Sequence, residues 1–257
     1  MLLDKETDMK NDPLQTIQKL IKERYSKAKA VFWAGSVSQN QGTESSDLDL
    51  VMVLDSLPHA YREAFIYDGW PIDALIHDLD TLRYFAGKLE VGDGRPALIQ
   101  MILTGQEVLG QNDVGRKAKR IAQDALTAGP DVWTQAQIDK EPFLITDILD
   151  DIKFPKNREE QIASAVHLFE PLLQFYFRAQ KKWAASGKSL IRLLRQDNLD
   201  FSMEFHQSFE RLFQTGDTVG LDSMVQRILA PYGGLLGDGF RSDAPEEWKM
   251  MDENEVP

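Results

Sequence analysis

The sequence of 257 residues contains no cysteine. Disulfide bonds, a thiolate nucleophile and cysteine-ligated zinc are therefore excluded. The sequence also has no apolar run approaching the ~20 residues that a membrane-spanning helix requires. Its first ten residues mix acidic and basic side chains, which is unlike a secretory signal peptide. Together these absences predict a cytoplasmic protein with no membrane partner.

Positive charge is scarce. The chain has 29 Lys and Arg against 41 Asp and Glu, for a formal net charge of −12. Residues 1–12 hold four acids and two bases, and residues 242–257 hold six acids and one base. The remaining body is still acidic, which argues against a surface that tracks a phosphate backbone. We therefore expect no nucleic-acid partner, and the sequence leaves open both a monomer and a homodimer.

The first half of the chain is predicted to contain a helix followed by short β-strands. Asp12-Pro13 predicts a helix start, and apolar residues at helical spacing extend that helix to about Lys29. Asp68-Gly69 is a dipeptide suited to the type I′ turn of a β-hairpin. Four segments have the apolar or alternating patterns of strands: residues 30–34, 47–54, 62–67 and 70–76.

From Asp78 onward the apolar spacing is helical, and Gly129-Pro130 predicts a domain boundary. We predict an α+β fold, in which a small mixed β-sheet with flanking helices precedes an all-α helical bundle. The corresponding domains are residues 1–129 and 130–241, with an acidic C-terminal tail over 242–257.

The stretch that indicates chemistry begins at Gly35-Ser36. Residues 37–46 follow and are polar, which predicts a loop with room for one helical turn, and then come Asp47 and Asp49. Side chains two positions apart on a strand point to the same face, so these two carboxylates can bind one or two divalent ions together. Mg²⁺ prefers such carboxylate oxygens together with substrate phosphates. The Gly-Ser turn offers backbone N–H groups and a hydroxyl to phosphate oxygens.

Asp73 supplies a third carboxylate on the second strand of the predicted hairpin. If that strand pairs with residues 47–54, Asp73 joins Asp47 and Asp49 at one sheet edge. Three crowded carboxylates repel one another unless cations neutralise them, which favours a metal site. A solvated edge strand with an unrelated third acid is the alternative.

This pattern resembles the nucleotidyltransferase superfamily that shares the DNA polymerase β palm. Its features are a hydrophobic-Gly-Ser turn, about ten residues, an Asp-x-Asp pair and a later third acid, and residues 30–77 contain all of them. The helical remainder is similar to aminoglycoside nucleotidyltransferases and their uncharacterised relatives, including the tryptophan-then-Gly-Lys segment over residues 182–188.

The resemblance implies transfer of a nucleoside monophosphate, AMP from ATP in the first instance, to a hydroxyl of a small molecule such as an aminoglycoside-like antibiotic. Asp47 and Asp49 would hold two Mg²⁺ ions that bridge the triphosphate of ATP or another nucleotide. Asp73 would bind the catalytic metal or accept the proton of the attacking hydroxyl. Gly35 and Ser36 would bind the nucleotide phosphates.

The resemblance also suggests roles in the helical domain. Lys188 and Arg192 are candidates to contact the triphosphate, although a solvated lysine fits Lys188 equally well. The residues Asp147, Asp150 and Asp151 share one helix face. They could receive a cationic acceptor, but a solvated acidic face is the simpler interpretation. The tryptophans Trp133 and Trp183 could stack on a base or sugar, and core packing is again simpler.

Two other functions fit the same fold. One is a nucleotidyltransferase of toxin–antitoxin type that modifies a protein, although such proteins are usually much shorter. The other is a regulator that binds nucleotide without catalysis, which the three intact acids disfavour. The four histidines have no metal-ligand spacing.

Overall fold

The computed structural model describes residues 11–244. Most of the predicted acidic tail, from residue 245 onward, lies outside these residues. The strands are β1 (Ala30–Ala34), β2 (Leu48–Val53), β3 (Tyr61–Tyr67), β4 (Trp70–His77) and β5 (Gln106–Glu107). The helices of the first half are α1 (Pro13–Arg24), α2 (Gly35–Ser38), α3 (Leu79–Tyr84), α4 (Val91–Asp93), α5 (Ala97–Thr104) and α6 (Asp113–Ala128). A π-helical segment, Phe85–Glu90, joins α3 to α4.

The second half is helical. Its helices are α7 (Gln135–Lys153), α8 (Arg158–Arg178), α9 (Gly187–Asp197), α10 (Leu199–Thr215) and α11 (Val219–Leu229), followed by a 3₁₀ turn, Ala230–Tyr232. The α+β prediction is therefore confirmed. None of the helices within residues 11–244 has the length and apolar character needed to cross a membrane.

The five strands form one mixed sheet in the order β3-β4-β2-β1-β5. Strand β2 pairs in parallel with β4 and antiparallel with β1, and β3 pairs antiparallel with β4. The parallel pairing places the N-terminal ends of β2 and β4 at the same end of the sheet. The antiparallel pairing with β2 places the C-terminal end of β1 there as well.

Alternating side chains of the sheet build two apolar cores, one on each face. One face packs against α1, and its buried residues include Ile17, Leu20, Val31, Leu50 and Ile72. The other face packs against α3, α5 and α6, and its buried residues include Phe32, Val51, Leu82, Ile99 and Ala118. The central strands β1, β2 and β4 are therefore buried between two apolar layers.

Local signals account for several boundaries. Asp12 caps α1 by accepting a hydrogen bond from the Gln15 backbone N–H. Asp68 and Gly69 both have positive φ, 47° and 81°, as a type I′ turn requires. At the start of α3, Asp78 and Thr81 form a reciprocal capping box, which satisfies two backbone N–H groups that a helix start leaves free.

One expectation about local structure was wrong. Helix α1 ends at Arg24 rather than near Lys29; by Lys29 the chain has joined the sheet, since its backbone N–H donates to the carbonyl of Val53 at 2.7 Å. The helical turn allowed for in the polar segment is present, but it begins earlier, over Gly35–Ser38. In addition, strand β5 has no counterpart among the predicted strands.

The described chain falls into two compact units. The first ends at Asp131 and also includes Lys181–Ala185, and the second comprises Val132–Gln180 and resumes at Ser186. The segment Lys181–Ala185 contacts the rest of the first unit through Trp183, whose indole N–H donates to the Leu126 carbonyl at 3.1 Å. The predicted division into continuous domains over residues 1–129 and 130–241 stays a prediction.

Candidate functional site

The sheet register places two of the predicted acids side by side. Asp49 on β2 lies directly opposite Asp73 on the parallel strand β4. On its other side Asp49 lies opposite Ala34, the last residue before the Gly35-Ser36 turn. Asp47 immediately precedes β2. The topology thus brings together, at one end of the sheet, residues that are up to 38 positions apart in the sequence.

The carboxylates of Asp47, Asp49 and Asp73 form an acidic triad. Each offers an oxygen within 4.8 Å of an oxygen of the other two, and all three residues are partly buried. An ion bound at about 2.1 Å joins oxygens up to about 4.2 Å apart, so a small side-chain adjustment lets one Mg²⁺ contact all three. Within residues 11–244, this is the group of three such side chains that could hold a metal. The donor set therefore fits a hard divalent cation.

Gly35 permits the close approach of the turn to this triad. A Cβ atom at this position would lie 1.8 Å from Asp49 Oδ2, and the backbone φ is +77°. Any side chain here would therefore displace the Asp49 carboxylate, and an L-residue would also be strained. The glycine is required both by the backbone conformation and by the space that the carboxylate occupies.

Hydroxyl groups line the loop between the turn and the triad. The Ser36 hydroxyl lies 3.3 Å from that of Ser46. The Ser46 hydroxyl also accepts a hydrogen bond from the Thr43 backbone N–H at 2.8 Å. Ser38 donates to the Gly35 carbonyl at 2.9 Å. The contact between Ser36 and Ser46 thus joins the turn to the residue that precedes Asp47.

A fourth residue, Arg62, contacts the triad and was not among the predicted site residues. The Arg62 guanidinium donates two hydrogen bonds to Asp73, from Nε to Oδ1 at 2.7 Å and from Nη2 to Oδ2 at 2.6 Å. The pKa of Arg62 is raised by this hydrogen bonding and by the charge of Asp73, with smaller contributions from Asp49 and Asp47. One cation thus lies within the field of all three acids.

Hairpin geometry could have identified Arg62. The two-residue turn places Tyr67 opposite Trp70, which in turn places Ala64 opposite Asp73. Arg62 lies two positions from Ala64 on the same face of β3. Diagonal neighbours of this kind are within reach of a long side chain.

The remaining predicted site residues lie in the second unit. Lys188 and Arg192 are exposed on α9, one turn apart. The residues Asp147, Asp150 and Asp151 are exposed on α7, opposite its buried residues Ile145, Leu149 and Ile152. Their predicted roles in binding triphosphate and acceptor stay predictions.

Other candidate residues have ordinary packing partners. The Trp133 ring contacts the ring of Phe175, with centroids 6.3 Å apart, and the guanidinium of Arg178. His77 is buried at the end of β4, where its ring meets the edge of Phe85.

Comparisons with known proteins give a distant structural neighbour. No protein-family model matches the chain, and no curated protein sequence matches it. Among solved structures, the chain is similar to the crystal structure of a nucleotidyltransferase-like protein from Exiguobacterium sibiricum. The TM-score is 0.44 at 10% sequence identity, and the alignment covers 86% of this chain and 77% of that chain.

Proposed function

We propose that the protein is a nucleotidyltransferase that depends on divalent metal and transfers a nucleoside monophosphate to a hydroxyl group of a small molecule. The observation that carries this proposal is the triad of Asp47, Asp49 and Asp73, whose oxygens lie within 4.8 Å of one another beside the Gly35-Ser36 turn. We take ATP as the first nucleotide to test.

In this proposal Asp47 and Asp49 hold two Mg²⁺ ions, and Asp73 contributes to one of them. When bound, the metal would neutralise charge on the triphosphate and on the phosphorus that reacts. Ser36 and the backbone N–H groups of the turn bind phosphate oxygens, because Gly35 lets the main chain approach them without a side chain in between. The protein contributes mainly positioning and charge compensation.

The proposed reaction forms one bond and breaks another at the α-phosphorus. The acceptor hydroxyl oxygen bonds to this phosphorus, the bond from it to the bridging oxygen of the β-phosphate breaks, and pyrophosphate leaves with that electron pair. The proton of the hydroxyl is transferred to a base or to solvent. Asp73 is the candidate base within the triad, and its alternative role is metal ligation alone.

The second unit supplies candidates for substrate recognition. Lys188 and Arg192 are cationic and exposed one helical turn apart on α9, which suits contact with a triphosphate. The exposed acids of α7 (Asp147, Asp150 and Asp151) suit an acceptor that carries positive charge, such as an aminoglycoside. Replacing Lys188 and Arg192 by glutamine tests the role in triphosphate binding. Replacing the three α7 acids by asparagine tests the role in acceptor binding.

The proposal is tested by calorimetric titration of ATP into the protein with and without Mg²⁺. We expect metal-dependent binding in the wild type, loss of that binding in the double variant Asp47→Asn/Asp49→Asn, and no loss in Asp80→Asn, which removes an exposed surface carboxylate. An acceptor screen scored by pyrophosphate release follows. If the wild type binds none of the four nucleoside triphosphates, the catalytic proposal is wrong. Binding without turnover on any small molecule or protein favours a nucleotide-binding regulator.

A further inference from the structure

We propose that Arg62 is a positioning residue that serves as the internal counter-charge of the acidic triad: it holds Asp73 in the metal-free protein and competes with the divalent cation for that carboxylate. This inference rests on the proposed function, because it assumes that the triad binds metal.

The contact between Arg62 and Asp73 occupies both oxygens of the carboxylate. Nε donates to Oδ1 at 2.7 Å and Nη2 donates to Oδ2 at 2.6 Å. These lengths are those of charge-assisted hydrogen bonds, and the two-pronged arrangement fixes the carboxylate plane as well as its position. A cation that takes an Asp73 oxygen must therefore share it with the guanidinium or displace the guanidinium.

Repulsion among the three carboxylates explains why a positively charged side chain beside them is favourable. Three carboxylates within 4.8 Å of one another repel strongly, and the repulsion is largest when no metal is present. The guanidinium interacts with Asp49 and Asp47 as well as with Asp73, so it offsets part of the repulsion across the whole triad. The same positive charge repels an incoming divalent cation, and this sets the two in competition.

The surroundings of Arg62 allow its guanidinium to move away from Asp73. Strand β3 lies at the edge of the sheet, and the Arg62 side chain is 67% exposed, whereas that of Asp73 is 18% exposed. Ion pairs with a solvent-exposed partner contribute little net stability, because the freed guanidinium regains water. A divalent cation with three carboxylate ligands can therefore replace Arg62 without disturbing the sheet.

A purely structural role predicts something different. If the pair served only to fasten β3 to β4, removing the guanidinium would lower stability equally with and without metal and would leave metal affinity unchanged. The counter-charge role predicts that its removal raises metal affinity and makes stability more dependent on metal.

The test is calorimetric titration of Mn²⁺ alone, without nucleotide, into the full-length chain. For Arg62→Gln we expect a Kd about fivefold lower than that of the wild type, comparable to the net effect of one partly exposed ion pair. Arg62→Lys keeps the charge, but an ammonium cannot reproduce the two-pronged contact with Asp73, so its Kd should lie between those of the wild type and Arg62→Gln. The control is Arg83→Gln, since Arg83 is 63% exposed and pairs with Asp80 at 2.7 Å outside the triad; its Kd should not change.

Thermal melts with EDTA and with Mn²⁺ add a readout independent of activity. In EDTA, we expect the Tm of Arg62→Gln to be lower than that of Arg83→Gln. When Mn²⁺ is added, the Tm of Arg62→Gln should increase by more than the Tm of the wild type. An Arg62→Gln variant with unchanged or weaker Mn²⁺ binding would overturn the inference. If Arg62→Gln does not fold, a Kd for Arg62→Lys below that of the wild type would support the inference, and an unchanged or higher Kd would overturn it.

The double variant Asp47→Asn/Asp49→Asn separates the two proposals. If the wild type binds Mn²⁺ no better than this variant, the triad is not a metal site and the proposed function itself fails. If the wild type binds and the variant does not, while Arg62→Gln matches the wild type, only the role of Arg62 is wrong.

Discussion

Gly35 has two constraints that no other residue type satisfies together. Its φ is +77°, and a Cβ would lie 1.8 Å from the Asp49 carboxylate oxygen. Gly69 has a similar φ of +81°, but a Cβ there would meet no atom within 4 Å. The two glycines thus separate the effect of backbone strain from the effect of steric contact with the triad.

We expect Gly69→Ala to lower the free energy of unfolding by about 1–2 kcal/mol, the strain of an alanine in the left-handed region, and Gly35→Ala to lower it by more, because its methyl group also overlaps Asp49 Oδ2. Only Gly35→Ala should also lose Mn²⁺ binding, because its methyl group displaces Asp49. Urea denaturation and calorimetry measure the two effects. Normal Mn²⁺ binding by a folded Gly35→Ala variant would show that Asp49 is not required in its present position.

His77 provides a prediction about pH. Its burial lowers the pKa of the imidazole, and the negative charge of Asp78 opposes this only in part. The unfolded chain therefore binds a proton more readily than the folded protein, so stability falls as the pH drops below about 6.5, the ordinary imidazole pKa.

We expect the urea midpoint of the wild type to decrease between pH 7.5 and pH 5 more steeply than that of His77→Gln. The control is His59→Gln, which removes an exposed imidazole and should keep the wild-type slope. Equal slopes for all three proteins would contradict the assignment of this pH dependence to His77.

Among the elements, α3 depends on one side chain at its start. Asp78 accepts hydrogen bonds from the backbone N–H groups of Thr81 and Leu57, both at 2.8 Å. It thereby caps the helix and fixes the loop before β3 to the end of β4. Asp80, two residues later, is exposed and pairs only along the helix with Arg83 within the described contacts.

Asp78→Ala should therefore lower the free energy of unfolding by about 1–2 kcal/mol, as expected for loss of an N-cap. Asp80→Ala should change it by less than about 0.5 kcal/mol, as expected for a surface ion pair. Chemical denaturation of both variants measures the difference. Similar values for the two would mean that the cap contributes little.

The elements also show where sequence patterns suffice. Strands β1 and β2 and the hairpin were predictable, because apolar runs and the Asp68-Gly69 turn are local signals. Strand β5 was not, because Gln106 and Glu107 have no strand pattern of their own and are extended only because they pair with Phe32 and Trp33.

At the scale of the whole molecule, the candidate site follows from topology. The spacing of Gly35, Asp47 and Asp49 indicated a metal site, but the position of Asp73 depended on whether β4 pairs with β2. The parallel register that joins Asp49 to Asp73 is a tertiary property, as is the reach of Arg62 across the hairpin. The residue types were readable from the sequence, and their mutual contacts required the fold.

The central claim is that the triad binds divalent metal beside a nucleotide. The most direct measurement is a crystal structure of the protein with Mn²⁺ and a non-hydrolysable ATP analogue, with anomalous diffraction recorded at the manganese absorption edge. We predict anomalous peaks within coordination distance of oxygens from Asp47, Asp49 and Asp73, with the triphosphate against the Gly35-Ser36 turn. Manganese located only elsewhere, or its absence from the triad in crystals that contain the bound analogue, would contradict the claim.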